Sequence, residues 1–200
     1  MSLTRPVRGY EVQFKVFRNL IELTRDIKDS RPGLFKVTFQ FISSIPVVGN
    51  YPLWKEEPLV PETMTTIESV PATGYADAKL ACKHILDKTL RQYPDSFRAM
   101  AARIAQISGS SISGYWDPTE YIPFLAKSSQ VLRILPDLDG TLSWYPVDHV
   151  ATTLGKLLMS AETSDMIYHI DNPSRQTWKD MIATLARALE LPSESIVPFE

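Results

Sequence analysis

A single cysteine, Cys82, occurs in the 200 residues, so no intramolecular disulfide can form and no cysteine-based metal site is available. That usage fits a reducing compartment, and the cytoplasm is the default expectation. No apolar run approaches the ~20 residues needed to span a bilayer, and "MSLTRPVRGY" at the N-terminus lacks the apolar core of a signal peptide. Charge of one sign is also scarce. The net charge is -2 and no basic block is interleaved with aromatics, which argues against a nucleic-acid or anionic-membrane partner. His84, His149 and His169 are scattered without an H-x-x-x-H pair, so no metal site is expected. Of the eight glycines, no two stand as G-x-G and none follows an N-terminal strand. "GSSISG" does not supply the G-x-S-x-G elbow of a serine hydrolase.

With 44% hydrophobic and 22% charged residues, the chain reads as one globular domain over residues 1–200. Tyr10 to Lys28 carries Tyr10, Phe14, Phe17 and Ile21 at helical spacing, and Val16, Leu20, Leu23 and Ile27 widen the stripe, which predicts a helix buried on a broad face. "SRPG" breaks it. "KVTFQFI" (Lys36 to Ile42) predicts a strand buried on both faces, followed by a Pro-rich loop from Ser43 to about Thr73. Gly74 to Tyr93 predicts a helix with Ala78, Leu80, Ala81, Ile85, Leu86 and Leu90 inward, and Phe97 to Ile107 an interior strand leading into a Gly/Ser loop. Further helices are expected over Tyr121 to Leu135, from Val147, and over Ser174 to Glu190. Strands are expected at Met166 to Ile170 and in "SIVPF". The alternation predicts an α/β layer fold with a largely parallel sheet.

Tyr75 and Lys79 lie one helical turn apart and share a face. Upstream, "FQFISSI" ends a strand in Ser43 and Ser44, and ligands of open α/β sheets sit beyond the carboxyl ends of the strands. Hydride addition to a carbonyl builds negative charge on oxygen, which a hydroxyl stabilises and an acid protonates. A phenol is a weak acid at neutral pH, and a neighbouring ammonium favours its phenolate. Serine would orient, tyrosine would deliver the proton and lysine would tune it. Y-x-x-x-K alone also occurs on ordinary surface helices; the serine-ended strand upstream is what sets this instance apart. Cys82 reads as small core filler, and "DLDG" as a surface turn lacking the remaining calcium-ligand positions.

"FQFISSIPVVGNYP", "GYADAKLACKHIL", "RIAQISGSSISGYW", "LSWYPVDHVATTL" and "IYHIDNPSRQTW" occur in this order. Together they resemble the extended short-chain dehydrogenase/reductase superfamily, and more narrowly the thioester reductase domains of fungal nonribosomal-peptide-synthetase-like and polyketide enzymes. The resemblance runs from about Pro6 to Glu200. It implies a truncated Rossmann-type parallel sheet with flanking helices, plus a small substrate-side α+β part over about residues 107–200. It implies Ser44, Tyr75 and Lys79 as the catalytic triad. NADPH would be held by Tyr75, Lys79, Arg103, Gln106 and Gly109. Trp116, Trp144 and Asp148 would stand on the substrate side, Asp148 in the 147–149 turn. The substrate would be a carrier-protein-bound acyl thioester or a small aldehyde of secondary metabolism. Gln13 departs from the family, where many extended reductases place an asparagine in a proton relay.

The family's cofactor grip, a Gly-rich turn between first strand and first helix, has no counterpart here; only about nine residues precede the first helix, whereas a βαβ unit takes ~30. Three expectations stay open. The chain is a piece of a larger reductase, or a short protein working as a cofactor-free isomerase, cyclase or binding module, or one that recruits NADPH or a partner chain in another way. A sheet lacking its first strands leaves the Lys36 to Ile42 strand as an exposed edge, which predicts a homodimer or a covering partner chain.

Overall fold

A computed structural model describes residues 5–31, 33–161 and 165–198 of the protein. Pro32 of the expected helix break and Phe199 of the last extended piece lie outside the described residues. The chain runs through α1 (Glu11–Asp29), β1 (Val37–Ser44), α2 (Tyr51–Lys55), α3 (Gly74–Lys88), β2 (Phe97–Ile104), β3 (Ile107–Ser108) and α4 (Tyr121–Leu132). It continues through β4 (Leu135–Asp137), β5 (Thr141–Leu142), β6 (Tyr145–Pro146), α5 (Val147–Met159), β7 (Ile167–Ile170), β8 (Gln176–Thr177), α6 (Trp178–Ala188) and β9 (Ile196–Pro198). The fold is α/β. Its contacts divide it into two compact units, one of Met1–Ala105 with Thr153–Ile170, the other of Gln106–Thr152 with Asp171–Glu200.

In the first unit a three-stranded parallel sheet runs in the order β1-β2-β7. β2 is central and almost wholly buried, as its run of small and apolar residues requires. β1 is only half-buried, which corrects the expectation of a strand covered on both faces; among the described residues it pairs with β2 alone. Phe17 and Ile21 of α1, Cys82 and Leu86 of α3, and Phe97 and Ala99 of β2 make one core, with Phe39 and Phe41 of β1 packed against it. Two ring contacts, Phe17–Phe39 at 6.0 Å and Phe17–Phe41 at 5.0 Å, fix α1 on the sheet. Tyr10 is buried and Phe14 packs against this core, but the residues that widen the expected stripe face out: Val16 is 53% exposed and Leu23 52%, with Leu20 and Ile27 beside them. Among the described residues no strand lies beneath them, because β1 is at the edge of the sheet. Ile85 of α3, expected inward, is likewise exposed.

Thr73 caps α3 by accepting the Ala76 N–H at 3.3 Å. Gly74 begins the helix where a Cβ would stand 2.0 Å from the Arg5 carbonyl oxygen, so the segment before α1 crosses there only because the side chain is missing. Two cationic side chains are fully buried, Lys83 on α3 and Arg103 on β2.

The second unit gathers short two-stranded ladders, β3-β6 and β4-β9 parallel and β5-β8 antiparallel, around Ile122, Leu135, Trp178, Met181 and Ile182. Thr177 caps α6 through the Asp180 N–H at 3.1 Å. Helix α4 stops three residues short of its expected end. Arg133 turns left-handed (φ 58°) and its N–H closes on Ser129 O at 2.8 Å, which releases fully buried Leu135 into β4. The expected strand from Phe97 to Ile107 breaks after Ile104, and its last part pairs in a different ladder as β3.

Candidate functional site

The first unit holds a cavity of about 460 Å³ between α1, the outer side of β1 and α3. Tyr10, Gln13 and Val16, the Phe39–Ile42 stretch of β1, and Tyr75, Lys79 and Cys82 are among its lining. The helical spacing of Tyr75 and Lys79 does bring them to one place, as α3 geometry dictates. The Lys79 ammonium stands 5.8 Å from the Tyr75 ring centroid and 5.1 Å from that of Phe41. Its Nζ donates to the Ile42 carbonyl oxygen at 2.7 Å. Burial pushes the Lys79 pKa below the usual lysine range, with Cys82 opposing the shift. The Cys82 thiol is itself pushed up to about 11 by burial, so it stays protonated and unreactive at neutral pH.

Ser44 sits at the carboxyl end of β1 in extended backbone, as read from the sequence. Among the described residues it makes no hydrogen bond to Tyr75 or Lys79, and it is outside the cavity lining. Its neighbour Ser43 is buried, with a hydroxyl that finds no partner among the described residues. Tyr10 carried no signal of a site in the sequence, yet its ring lies 6.4 Å from that of Tyr75 and forms one wall.

Arg103 faces inward. Its guanidinium donates to Pro61 O at 3.1 Å and Thr63 O at 2.6 Å, lies 2.9 Å from His169 Nε2, and holds the Pro-rich loop against the sheet.

In the second unit, Gln106 accepts the Tyr145 N–H at its backbone oxygen, and its side-chain nitrogen is buried without a partner among the described residues. A Cβ on Gly109 would come within 2.6 Å of Tyr115 O and 2.7 Å of Trp116 Cβ, so the loop folds back tightly at that glycine. Trp116 and Trp144 pack edge to face at 5.3 Å, and the Trp116 indole donates to Glu120 at 2.9 Å. Asp148, in the first turn of α5, accepts from both the Ser111 hydroxyl and, at 2.8 Å, the Ser111 N–H. The Ser111 hydroxyl does most to hold the Asp148 carboxyl down to about 2. Asp148 therefore works as a clamp on the Gly/Ser loop.

The sheet order and the parallel crossovers define the class, an α/β fold with a parallel sheet flanked by helices. The chain belongs to the family described as male sterility protein, which it matches over residues 11–154. All of it is similar to a segment of the clavatol synthase of Penicillium crustosum (64% identity) and of the citrinin polyketide synthase of Monascus ruber (58%). It spans about 8% of the length of each of those relatives. Among solved structures it is similar to the terminal R domain from the myxalamid PKS-NRPS pathway, with TM-score 0.60 and 21% identity over 76% of this chain and 36% of that one. It is also similar to a thiolation-reductase di-domain of an archaeal non-ribosomal peptide synthetase, with TM-score 0.65 and 16% identity over 91% and 38%. A third is the dTDP-glucose 4,6-dehydratase of Bacillus anthracis in complex with NAD, with TM-score 0.64 and 16% identity over 92% and 54%. These likenesses establish the fold.

A nicotinamide cofactor is what the family implies. A mostly apolar cavity lined by the Tyr10 and Tyr75 side chains and the Lys79 ammonium fits the nicotinamide and ribose end of such a molecule. For the phosphate end the sequence given contains no G-x-G turn.

Proposed function

We propose that this chain supplies the proton-delivering and substrate-side part of an NADPH-dependent thioester or aldehyde reductase, acting on carrier-bound acyl chains in cytoplasmic polyketide biosynthesis. The observation that carries the reading is the convergence of Tyr75 and Lys79 on one cavity at the outer side of β1. The family and the similarity to polyketide synthases support it. NADPH, when bound, would supply the hydride. The chain's own contribution is to the oxygen that gains charge: the Tyr75 hydroxyl gives it a proton, Lys79 stabilises the phenolate left behind, and Ser44 orients the carbonyl. Trp116 and Trp144 offer apolar surface to an acyl chain.

Turnover of an acyl-N-acetylcysteamine thioester with NADPH tests this, using this chain in place of the matching segment of the clavatol synthase. Tyr75→Phe is expected to lower the rate by ~10²–10⁴-fold, the span for removing one acid–base group. Undiminished product formation in that variant would refute the reading. One observation favours a second reading, a cofactor-free isomerase, cyclase or binding module: Lys79 is already engaged by Ile42 O. That reading expects Tyr75 and Lys79 to be dispensable and the aromatic loops not.

A further inference from the structure

We infer that Lys83, Arg91 and Arg103 form an enclosed site for one small monovalent anion of carboxylate type, the size of formate or bicarbonate, beneath residues 61–65 of the Pro-rich loop. The inference does not rest on the reductase reading.

Three cations meet here with too little negative charge around them. Lys83 on α3 is 1% exposed and Arg103 on β2 is 0%, and the Arg91 side chain, just past the end of α3, is 4% exposed. One loop segment spans both guanidinium groups: Arg103 donates to Pro61 O and Thr63 O and reaches Thr65 Oγ1 at 3.4 Å, while Arg91 Nη1 lies 3.7 Å from Met64 Sδ. Burial first, then both guanidinium charges, depress the Lys83 pKa. Two carboxylates stand near, and neither pairs with Lys83. Asp87, one turn from Lys83 and one from Arg91, lies 3.7 Å from Arg91 and 3.7 Å from Lys88. Glu62 attracts Arg103 and accepts the His169 N–H. His169 brings no charge of its own, because a guanidinium can only donate, so Nε2, 2.9 Å from Arg103 Nη1, accepts as neutral imidazole. One positive charge is left over, and it sits on Lys83.

The unused donors say what shape fits. Arg91 Nε and Nη2 are both buried without a partner among the described residues, and their parallel N–H bonds are the fork that takes two oxygens of a carboxylate. Lys83 Nζ and Arg103 Nε are likewise buried and unpartnered. A buried charge left unpaired is costly, and pairing it with a hydrogen-bonded counter-ion removes most of that cost. A monovalent anion cancels the single surplus charge, whereas a phosphate dianion would overshoot it. Size is limited as well, since Lys83 and Arg103 are fully covered. Arg91 also lines a cavity of about 920 Å³ at the amino ends of β1, β2 and β7, whose wall includes Lys36, and this gives an anion its approach from solvent.

Urea unfolding near neutral pH, followed by circular dichroism, tests the site without reference to activity. The folded-to-unfolded ratio is expected to rise about tenfold between zero and ~0.1 M sodium formate, as linkage gives for a Kd near ~10 mM, and less than about twofold in sodium chloride of the same ionic strength. Arg91→Lys keeps the charge and loses the fork; Lys83→Met removes the surplus charge. Each should bring the formate response down to the chloride level. The parent's response should also fade from about pH 6 to about pH 9, as Lys83, with its pKa near 7, gives up its charge while both guanidinium groups keep theirs. Broadening of the NMR signal of isotope-labelled formate by the folded parent, lost with either variant, reads the same binding where a variant unfolds too readily for the urea measurement. Equal stabilisation by chloride and formate would overturn the carboxylate class. A formate response that survives both substitutions, or that does not change with pH, would overturn the site.

Discussion

Lys83→Met is expected to stabilise the first unit, and most strongly at neutral and acid pH. Lys83 is 1% exposed, and its Nζ has no partner among the described residues. Burial first, then the Arg103 and Arg91 guanidinium groups, push its pKa from 10.5 down to about 7. A base with a depressed folded pKa contributes stability fully present above its unfolded value. That stability is lost as pH falls from about 10.5 toward the folded value near 7. The full shift corresponds to roughly 5 kcal/mol, at about 1.4 kcal/mol per unit, and at pH 7 most of that penalty applies. Relaxation around the charge reduces it, so a gain of about 2–4 kcal/mol is expected near neutrality, falling below ~1 kcal/mol by about pH 10. For a chain of this size that is a rise in Tm of about 5–15 °C. Urea unfolding followed by far-UV circular dichroism from pH 6 to about 10 reads both the gain and its slope. Lys83→Glu, which would set a carboxylate between two guanidinium groups, removes the amine that titrates and should flatten the slope across this range. A Lys83→Met variant less stable than the parent, or with the parent's pH dependence, would refute the reasoning.

Arg103→Lys removes a planar fork that holds two loop carbonyls, at Pro61 and Thr63, and should cost about 2–4 kcal/mol. Faster proteolysis between Pro58 and Thr66 would report the freed loop. Gly109→Ala forces a methyl against Tyr115 O and Trp116 Cβ and should destabilise the second unit by about 1–3 kcal/mol, with loss of the near-ultraviolet dichroism of the Trp116–Trp144 pair. Asp148→Asn weakens the clamp on Ser111, so the Ser111 amide should exchange roughly tenfold faster at neutral pH. In the parent, the depressed Asp148 pKa means that this protection is present above about pH 4 and fades as pH falls through about 2.

The long helices and the strands β1, β2 and β7 were legible because their signals are local, whereas α2 lies inside the stretch expected as a Pro-rich loop. Period-3.6 apolar spacing marks α1, and the i, i+4 relation alone puts Tyr75 beside Lys79. Side-chain environment was legible only where an element's neighbours could be inferred. The apolar arc of α1 identified a helix correctly but could not say which part of the arc meets this chain's own sheet; Phe17 and Ile21 do, Val16 and Leu23 do not. Lys83 escaped notice because a lysine one turn past another lysine reads as solvated surface, and only the packing of α3 against the sheet turns it inward. Arg103 stands within an apolar strand, which hints at burial. Its partners are main-chain carbonyls of a loop far away in sequence, a contact that no side-chain pattern encodes. The same limit applies to Lys79. Spacing predicted its approach to Tyr75, but its bond to the Ile42 carbonyl follows from an open strand edge, a property of the sheet as a whole. The lysine is therefore placed by two demands on one ammonium, the phenol one turn away and the Ile42 carbonyl of β1, and its hydrogen bond goes to the carbonyl.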